Sequence, residues 1–113
     1  MVREVTPGEV KDKLDDDETQ VVDIRSQAQY ERGHIPGAIN IPLADLPRQI
    51  DQVEWGDEIV VACPIGQSSI QAARLIQSFE GVDADATVAS MEGGYDAWEY
   101  ELERNESRDE IES

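Results

Sequence analysis

The chain contains one cysteine, Cys63, and one histidine, His34. A thiolate attacks sulfur readily, so the stretch Cys63-Pro64-Ile65-Gly66-Gln67-Ser68-Ser69 is where covalent chemistry is to be sought. It lies between the apolar run Ile59-Val60-Val61-Ala62 and an amphipathic segment that starts at Ser69. A β-rich run, a glycine-bearing turn and a helical pattern place this loop at the carboxyl end of a strand. Open α/β sheets bind their ligands at that edge. The helix that follows aims unpaired N–H groups and the positive end of its dipole at whatever Cys63 carries.

An ordinary thiol has a pKa of about 8.5 and is mostly protonated at neutral pH. A helix terminus in a favourable site is worth roughly 0.3 to 2 kcal/mol, which is at most about one and a half pKa units. Converging backbone N–H groups add to this. Cys63 is therefore the candidate nucleophile, able to exist as a thiolate or persulfide anion without a cationic side chain. The plainer reading is a buried cysteine that packs as a small hydrophobe, and the loop alone leaves both readings open.

His34 invites a catalytic reading because it accompanies a single cysteine. It opens a turn, His34-Ile35-Pro36-Gly37, where its ring can fasten the loop to backbone groups, and that structural role is the expectation. One histidine with one cysteine argues against a metal site. The acidic run Asp15-Asp16-Asp17-Glu18 lacks the alternating ligands and central glycine of a calcium loop and reads as a solvated turn. No cofactor is called for.

The elements around the loop follow in order. Val2 to Val5 reads as an edge strand. Thr6-Pro7-Gly8-Glu9 opens a helix with an N-cap, a proline at the first helical position and a capping-box glutamate, and Val10 and Leu14 face inward. Gln20 to Arg25 forms a strand buried on both faces, with Asp23 and Arg25 on the same side. Ser26 caps a short helix that runs to Arg32 before Gly33. Ala38 to Ile41 is a short strand closed by Pro42. Leu46, Ile50 and Val53 predict one short helix before the Trp55-Gly56-Asp57 turn. Glu58 to Ala62 is the strand that carries the loop. After it, Ala72, Leu75, Ile76 and Phe79 supply the apolar stripe of the main helix, which Gly81 ends. Ala86 to Met91 is a last strand, Glu92-Gly93-Gly94 a tight turn, and Tyr95 to Trp98 the start of a final helix. Alternating strands and helices predict a small α/β domain with a mostly parallel sheet and helices on both faces.

The chain has 113 residues, enough for one core, and no internal repeat. A single domain over 1–102 is expected, followed by a charged tail, 103–113, that is frayed or disordered. Asp and Glu number 26 against nine Lys and Arg, a formal charge of −17, and the only lysines are Lys11 and Lys13. Without a basic cluster the chain is a poor nucleic-acid binder. The acidic residues are spread between apolar runs, which argues against disorder and for adaptation to high salt, where a Debye length of about 3 Å screens self-repulsion. A lone cysteine forms no internal disulfide. The start, Met-Val-Arg-Glu, shows no apolar signal core, and no apolar run is long enough to cross a bilayer, so a cytoplasmic protein without membrane association is expected.

Four blocks together resemble single-domain rhodaneses: Val22-Asp23-Ile24-Arg25, Tyr30 to Pro42, the Cys63–Ser69 loop, and Glu92-Gly93-Gly94-Tyr95-Asp96-Ala97-Trp98. They occur in that family's order and at its usual spacing over nearly the whole domain. The resemblance implies a parallel sheet of about five strands and a sulfurtransferase that carries a sulfane sulfur on Cys63. The amides of Ile65, Gly66, Gln67, Ser68 and Ser69 would cradle that sulfur, and Ser69 would act as a cap or as a hydrogen bond into the loop. Asp23 and Arg25 match the family's Asp-x-Arg and would brace the strand end near the mouth. Partners would be a sulfur donor, either a small molecule or a protein persulfide, and a thiol acceptor. Thiosulfate-using members carry basic side chains after the cysteine and before the serine, where this chain has Pro64 and Ser68, so thiosulfate is expected to be a poor donor. Phosphatases of the same fold need an arginine at the position of Ser69. The remaining rival is a noncatalytic rhodanese-like binding module.

Overall fold

The computed structural model describes residues 2–16 and 18–104. The strands are β1 (Arg3–Val5), β2 (Thr19–Asp23), β3 (Ile39–Asn40), β4 (Glu58–Ala62) and β5 (Thr87–Met91). They form one sheet in the order β1-β5-β4-β2-β3, and every pairing is parallel. The helices are α1 (Pro7–Lys13), α2 (Gln27–Arg32), α3 (Leu46–Gln49) and α4 (Ser68–Ser78).

Side-chain alternation along the central strands divides the core in two. Val22 of β2, Ile59 and Val61 of β4, and Val88 of β5 face Leu46, Ala72, Ala73 and Ile76 of α3 and α4. Val21, Val60, Ala62, Ala89 and Met91 face Val10 of α1 and the Tyr30 side of α2. Helices therefore cover both faces, as near-continuous apolar strands require. Cys63 continues the α4-facing series one step beyond β4.

Local sequence sets several element ends. Thr6 Oγ1 accepts the N–H of Glu9, and Glu9 Oε1 accepts the N–H of Thr6, a reciprocal cap on α1. Ser26 and Gln29 form the same arrangement on α2. Such caps are worth ~1 kcal/mol each.

Three expectations need correction. The stretch expected as one helix before Trp55 is a 3₁₀ turn (Leu43–Asp45), the single turn of α3, and a second 3₁₀ turn (Ile50–Gln52). Leu46 and Ile50 are buried as their spacing implied, and Trp55 Nε1 donates to the Ile50 carbonyl at 2.8 Å, closing the segment. On α4 the buried face is Ser69, Ala72, Ala73 and Ile76, whereas Leu75 lies on the flank and is 38% exposed. The final helix is only one 3₁₀ turn, Gly94–Ala97. Trp98 is buried beyond it, with Nε1 donating to the Glu101 carbonyl, and the chain turns back across the domain.

That return strap reaches His34. The N–H of His34 donates to the Glu103 carbonyl at 2.9 Å, and the Glu103 N–H donates to the His34 carbonyl at 2.8 Å. Ordered pairing thus extends to Glu103, which the sequence placed in the tail. The rest of the expected frayed segment, 105–113, lies outside the described residues. Among the described residues no helix is long and apolar enough to cross a membrane.

Candidate active site

The Cys63 loop is shaped by what holds its two ends and its carbonyls. β4 is central, paired with β2 and β5, so the strand end from which Cys63 emerges is fixed on both sides. The Tyr95 N–H donates to the Cys63 carbonyl at 2.8 Å, and the Asp96 N–H donates to the Pro64 carbonyl at 3.0 Å. Tying these carbonyls to the 3₁₀ turn leaves the loop amides free to converge on the sulfur.

Two glycines make that contact possible. Gly66 has φ +87°, and a Cβ there would lie 2.7 Å from the Gly93 nitrogen. Gly94 has φ +60°, and a Cβ there would collide with the Cys63 carbonyl oxygen. The loop and the turn meet backbone to backbone, which a side chain on either glycine would prevent.

Cys63 itself is 0% exposed. Its Sγ accepts from the Gly66 N–H at 3.0 Å and from the Ser69 N–H at 3.3 Å, and lies 3.3 Å from Ser69 Oγ. Burial pushes the thiol pKa up. The Ser69 hydroxyl and the amides of Ser69, Gly66 and Ile65 pull it down and prevail, leaving it below the ordinary value. Gln67 and Ser68 are not among the sulfur's hydrogen-bond partners. Gln67 is instead the N-cap residue of α4, without a side-chain cap.

Ser69 does not cap the helix. It sits in the first turn of α4, and its hydroxyl points inward, 2.6 Å from Ser90 Oγ as well as toward Cys63. Of the two roles the sequence allowed for Ser69, the hydrogen bond into the loop is the one present.

Asp23 and Arg25 form a brace on the other face of the sheet. Asp23 is fully buried, and its carboxylate accepts from Arg25 N, Nε and Nη2 and from the Tyr95 hydroxyl at 2.8 to 3.1 Å. Arg25 Nη2 also donates to the Gly33 carbonyl at 2.7 Å. The guanidinium carbon stacks 3.5 Å from the centre of the Tyr95 ring. Burial lowers the Arg25 pKa, but the Asp23 partner outweighs it and the net shift is upward. Burial first, then the Asp23 charge, raises the Tyr95 pKa. Arg25 is thus committed to its partners, and Tyr95 links this brace to the Cys63 carbonyl.

His34 belongs to the scaffold. Its Nδ1 lies 2.8 Å from the Tyr30 carbonyl, and its ring stacks on Tyr30 at 3.8 Å between centroids. No charged side chain stands within the loop from Pro64 to Ser69, and Arg74 further along α4 points to solvent.

Sequence reading missed Ser90 and the part played by Tyr95. Ser90 left one usable sign, a hydroxyl in the otherwise apolar run Val88-Ala89-Ser90-Met91 near the carboxyl end of a central strand. Its pairing with Val61 puts it on the α4 face, diagonal to Cys63.

Known proteins resemble this chain in sequence and fold. The chain is 34% identical over 77 residues to YrkF of Bacillus subtilis, named as a sulfur carrier, covering 67% of this chain and 42% of that one. It is 31% identical over 99 residues to the thiosulfate sulfurtransferase GlpE of Pseudoalteromonas translucida, covering 86% and 89% of the two chains. A crystal structure of a rhodanese-like domain protein from Staphylococcus aureus superposes with a TM-score of 0.75 at 26% identity, over 92% of this chain and 99% of that one. The family model for the rhodanese-like domain matches residues 6–101. With that match spanning all five strands but the first, and the sheet order and loop geometry above, the chain belongs to the rhodanese-like domain family.

Proposed function

We propose that this protein is a sulfurtransferase that carries sulfane sulfur as a persulfide on Cys63. The observation that carries the reading is the set of donors converging on Sγ: two backbone amides and, in the thiolate state, the Ser69 hydroxyl. Such a set favours an anionic sulfur in a site shielded from water.

The reaction runs in two displacements. The Cys63 thiolate attacks the outer sulfur of a persulfide donor, forming the Cys63 S–S bond as the donor's S–S bond breaks. The donor RSSH leaves as its thiolate and takes up the transferred sulfur's proton, departing as RSH, so the negative charge stays on the outer sulfur of Cys63. An acceptor thiolate then attacks that outer sulfur, takes it as a new persulfide and releases the Cys63 thiolate. The cradle stabilises the charge at the start and end of each step without supplying a proton.

Because Cys63 is fully buried, a donor reaches it only when the exposed cover of the loop, Pro64 to Gln67, moves aside. The largest apolar side chain in that cover, Ile65, is 53% exposed and meets the donor first. With no loop cation, with Arg25 engaged and with a chain charge of −17, no side chain at the mouth among the described residues holds a dianion such as thiosulfate. An organic or protein persulfide is the donor class that fits. The buried thiol and the missing loop cations are the observations that favour a noncatalytic binding module.

The test is single-turnover transfer. Protein treated with an organic persulfide and freed of excess should yield one thiocyanate per chain when cyanide is added, and thiosulfate should load it far more slowly. A protein that yields none from any persulfide donor is not a sulfurtransferase.

A further inference from the structure

Ser90 is assigned no part in the reaction so far, yet among the described residues it is the one side chain besides Cys63 that is hydrogen-bonded to the Ser69 hydroxyl. It is 0% exposed, and among the described residues its hydroxyl has one hydrogen-bond partner, Ser69 Oγ at 2.6 Å. Ser69 Oγ in turn lies 3.3 Å from Cys63 Sγ. The three groups form a buried file: sulfur, hydroxyl, hydroxyl.

The hydrogens in this file can run in only two directions. If Cys63 is a thiol, three hydrogens share two links: either the S–H donates to Ser69, Ser69 to Ser90 and the Ser90 hydrogen has no acceptor among the described residues, or the file runs the other way and the S–H has none. If Cys63 is a thiolate, Ser90 donates to Ser69, Ser69 donates to sulfur, and every hydrogen is used. A buried hydroxyl left without an acceptor is costly, and chained donors strengthen one another. The file is therefore better satisfied in the thiolate state.

We propose that Ser90 is a positioning residue for sulfur transfer, whose hydroxyl turns Ser69 to donate to Cys63 and so holds the sulfur as the anion. The proposal rests on the sulfur-transfer reading above. Charged groups on the surrounding elements do not do this work. Glu4, opposite Ser90 on β1, and Glu92, which follows β5, are exposed, as is Arg74 on α4. Asp23 of β2 lies on the other face, bound to Arg25. The influences on Sγ are its burial and the uncharged donors of Ser69, Gly66 and Ile65.

The experiment is a pH titration of the thiolate's ultraviolet absorbance in the full chain, with Cys63→Ser as the blank and circular dichroism to confirm folding. Removing one hydrogen bond from the file should lower the thiolate fraction at a fixed pH below the midpoint about two- to tenfold in Ser90→Ala. Ser90→Thr, which keeps the hydroxyl, should titrate like the wild type. Ser69→Ala should raise the midpoint, and adding Ser90→Ala to it should change nothing more, because Ser90 acts only through Ser69. A Ser90→Ala midpoint equal to the wild type, or an equal shift with and without Ser69, overturns the assignment. Sulfur loading of the wild type, read separately by intact mass, keeps the two claims apart. A wild type that gains no sulfur sinks the sulfur-transfer reading and Ser90's part in it, whereas a wild type that gains sulfur beside an unmoved Ser90→Ala midpoint sinks the Ser90 assignment alone.

Discussion

The backbone N–H of Tyr95 donates to the carbonyl of Cys63 at 2.8 Å, while the Tyr95 hydroxyl donates to the buried carboxylate of Asp23 at 2.9 Å. One residue thus couples the sulfur-bearing loop to the ion pair on the opposite face of the sheet. The loop's geometry depends on contacts distant in sequence, and disturbing either end of this link should disturb the thiol.

Gly94→Ala should do so from the turn. Its φ of +60° and the collision of a Cβ with the Cys63 carbonyl force the turn and loop apart. A loss of about 1–3 kcal/mol in urea unfolding is expected from such strain, together with a higher thiol midpoint as the amides move off the sulfur. A variant of unchanged stability and unchanged thiol titration would show that the turn does not shape the loop.

Asp23→Ala should act from the brace. It leaves Arg25, whose side chain is 10% exposed, buried without its carboxylate, and breaking a buried pair from one side costs about 3–5 kcal/mol. Tyr95→Phe, which removes only the hydroxyl shared by Asp23 and the Ile35 N–H, should cost about 1–2 kcal/mol. Chemical denaturation that ranks the two variants in the opposite order contradicts this account of the brace.

Stability should depend on pH through Cys63. Its folded-state pKa is lowered, by hydrogen bonds that outweigh burial, so between that value and the unfolded thiol's pKa of about 8.5 the unfolded chain binds more protons than the folded one. The thiolate's contribution is therefore full above the unfolded pKa and is lost as pH falls through the folded pKa. The stability difference between wild type and Cys63→Ser should grow in favour of the wild type as pH rises through that window. A difference that stays flat or declines would place the thiol's pKa at or above its ordinary value.

Salt should stabilise the fold. We propose that the charge of −17 is an adaptation to high salt, and raising KCl from about 0.1 M to 1 M shortens the Debye length from about 10 Å to about 3 Å. The thermal midpoint should rise by several degrees over that range. A change of no more than about a degree or two would remove self-repulsion as a controlling influence on this surface.

What was legible in the sequence was local. Thr6, Pro7 and Glu9 lie within one turn, so the cap on α1 could be read directly and is present as expected. Glu58 to Ala62 stood out because a buried parallel strand is apolar on both faces, and β4 spans those residues. Cys63 was singled out by its type and by the strand-turn-helix pattern around it. What was not legible came from pairing across the sheet. Ser69 read equally well as a helix cap, and only the β4–β5 register, which sets Val61 beside Ser90, shows where its hydroxyl goes. Tyr95 looked like part of a helix. Its actual role, tying a loop carbonyl on one side and a buried carboxylate on the other, has no local signature. Leu75 fitted the helical stripe by spacing but lies beyond the edge of what the sheet covers.

The central claim, that Cys63 carries sulfur, is tested most directly by intact mass spectrometry after exposure to an organic persulfide and removal of excess reagent. The account predicts a gain of one sulfur atom in the wild type, reversed by a thiol acceptor, and no gain in Cys63→Ser. A wild type whose mass is unchanged, or a Cys63→Ser variant that gains the same sulfur, would contradict it.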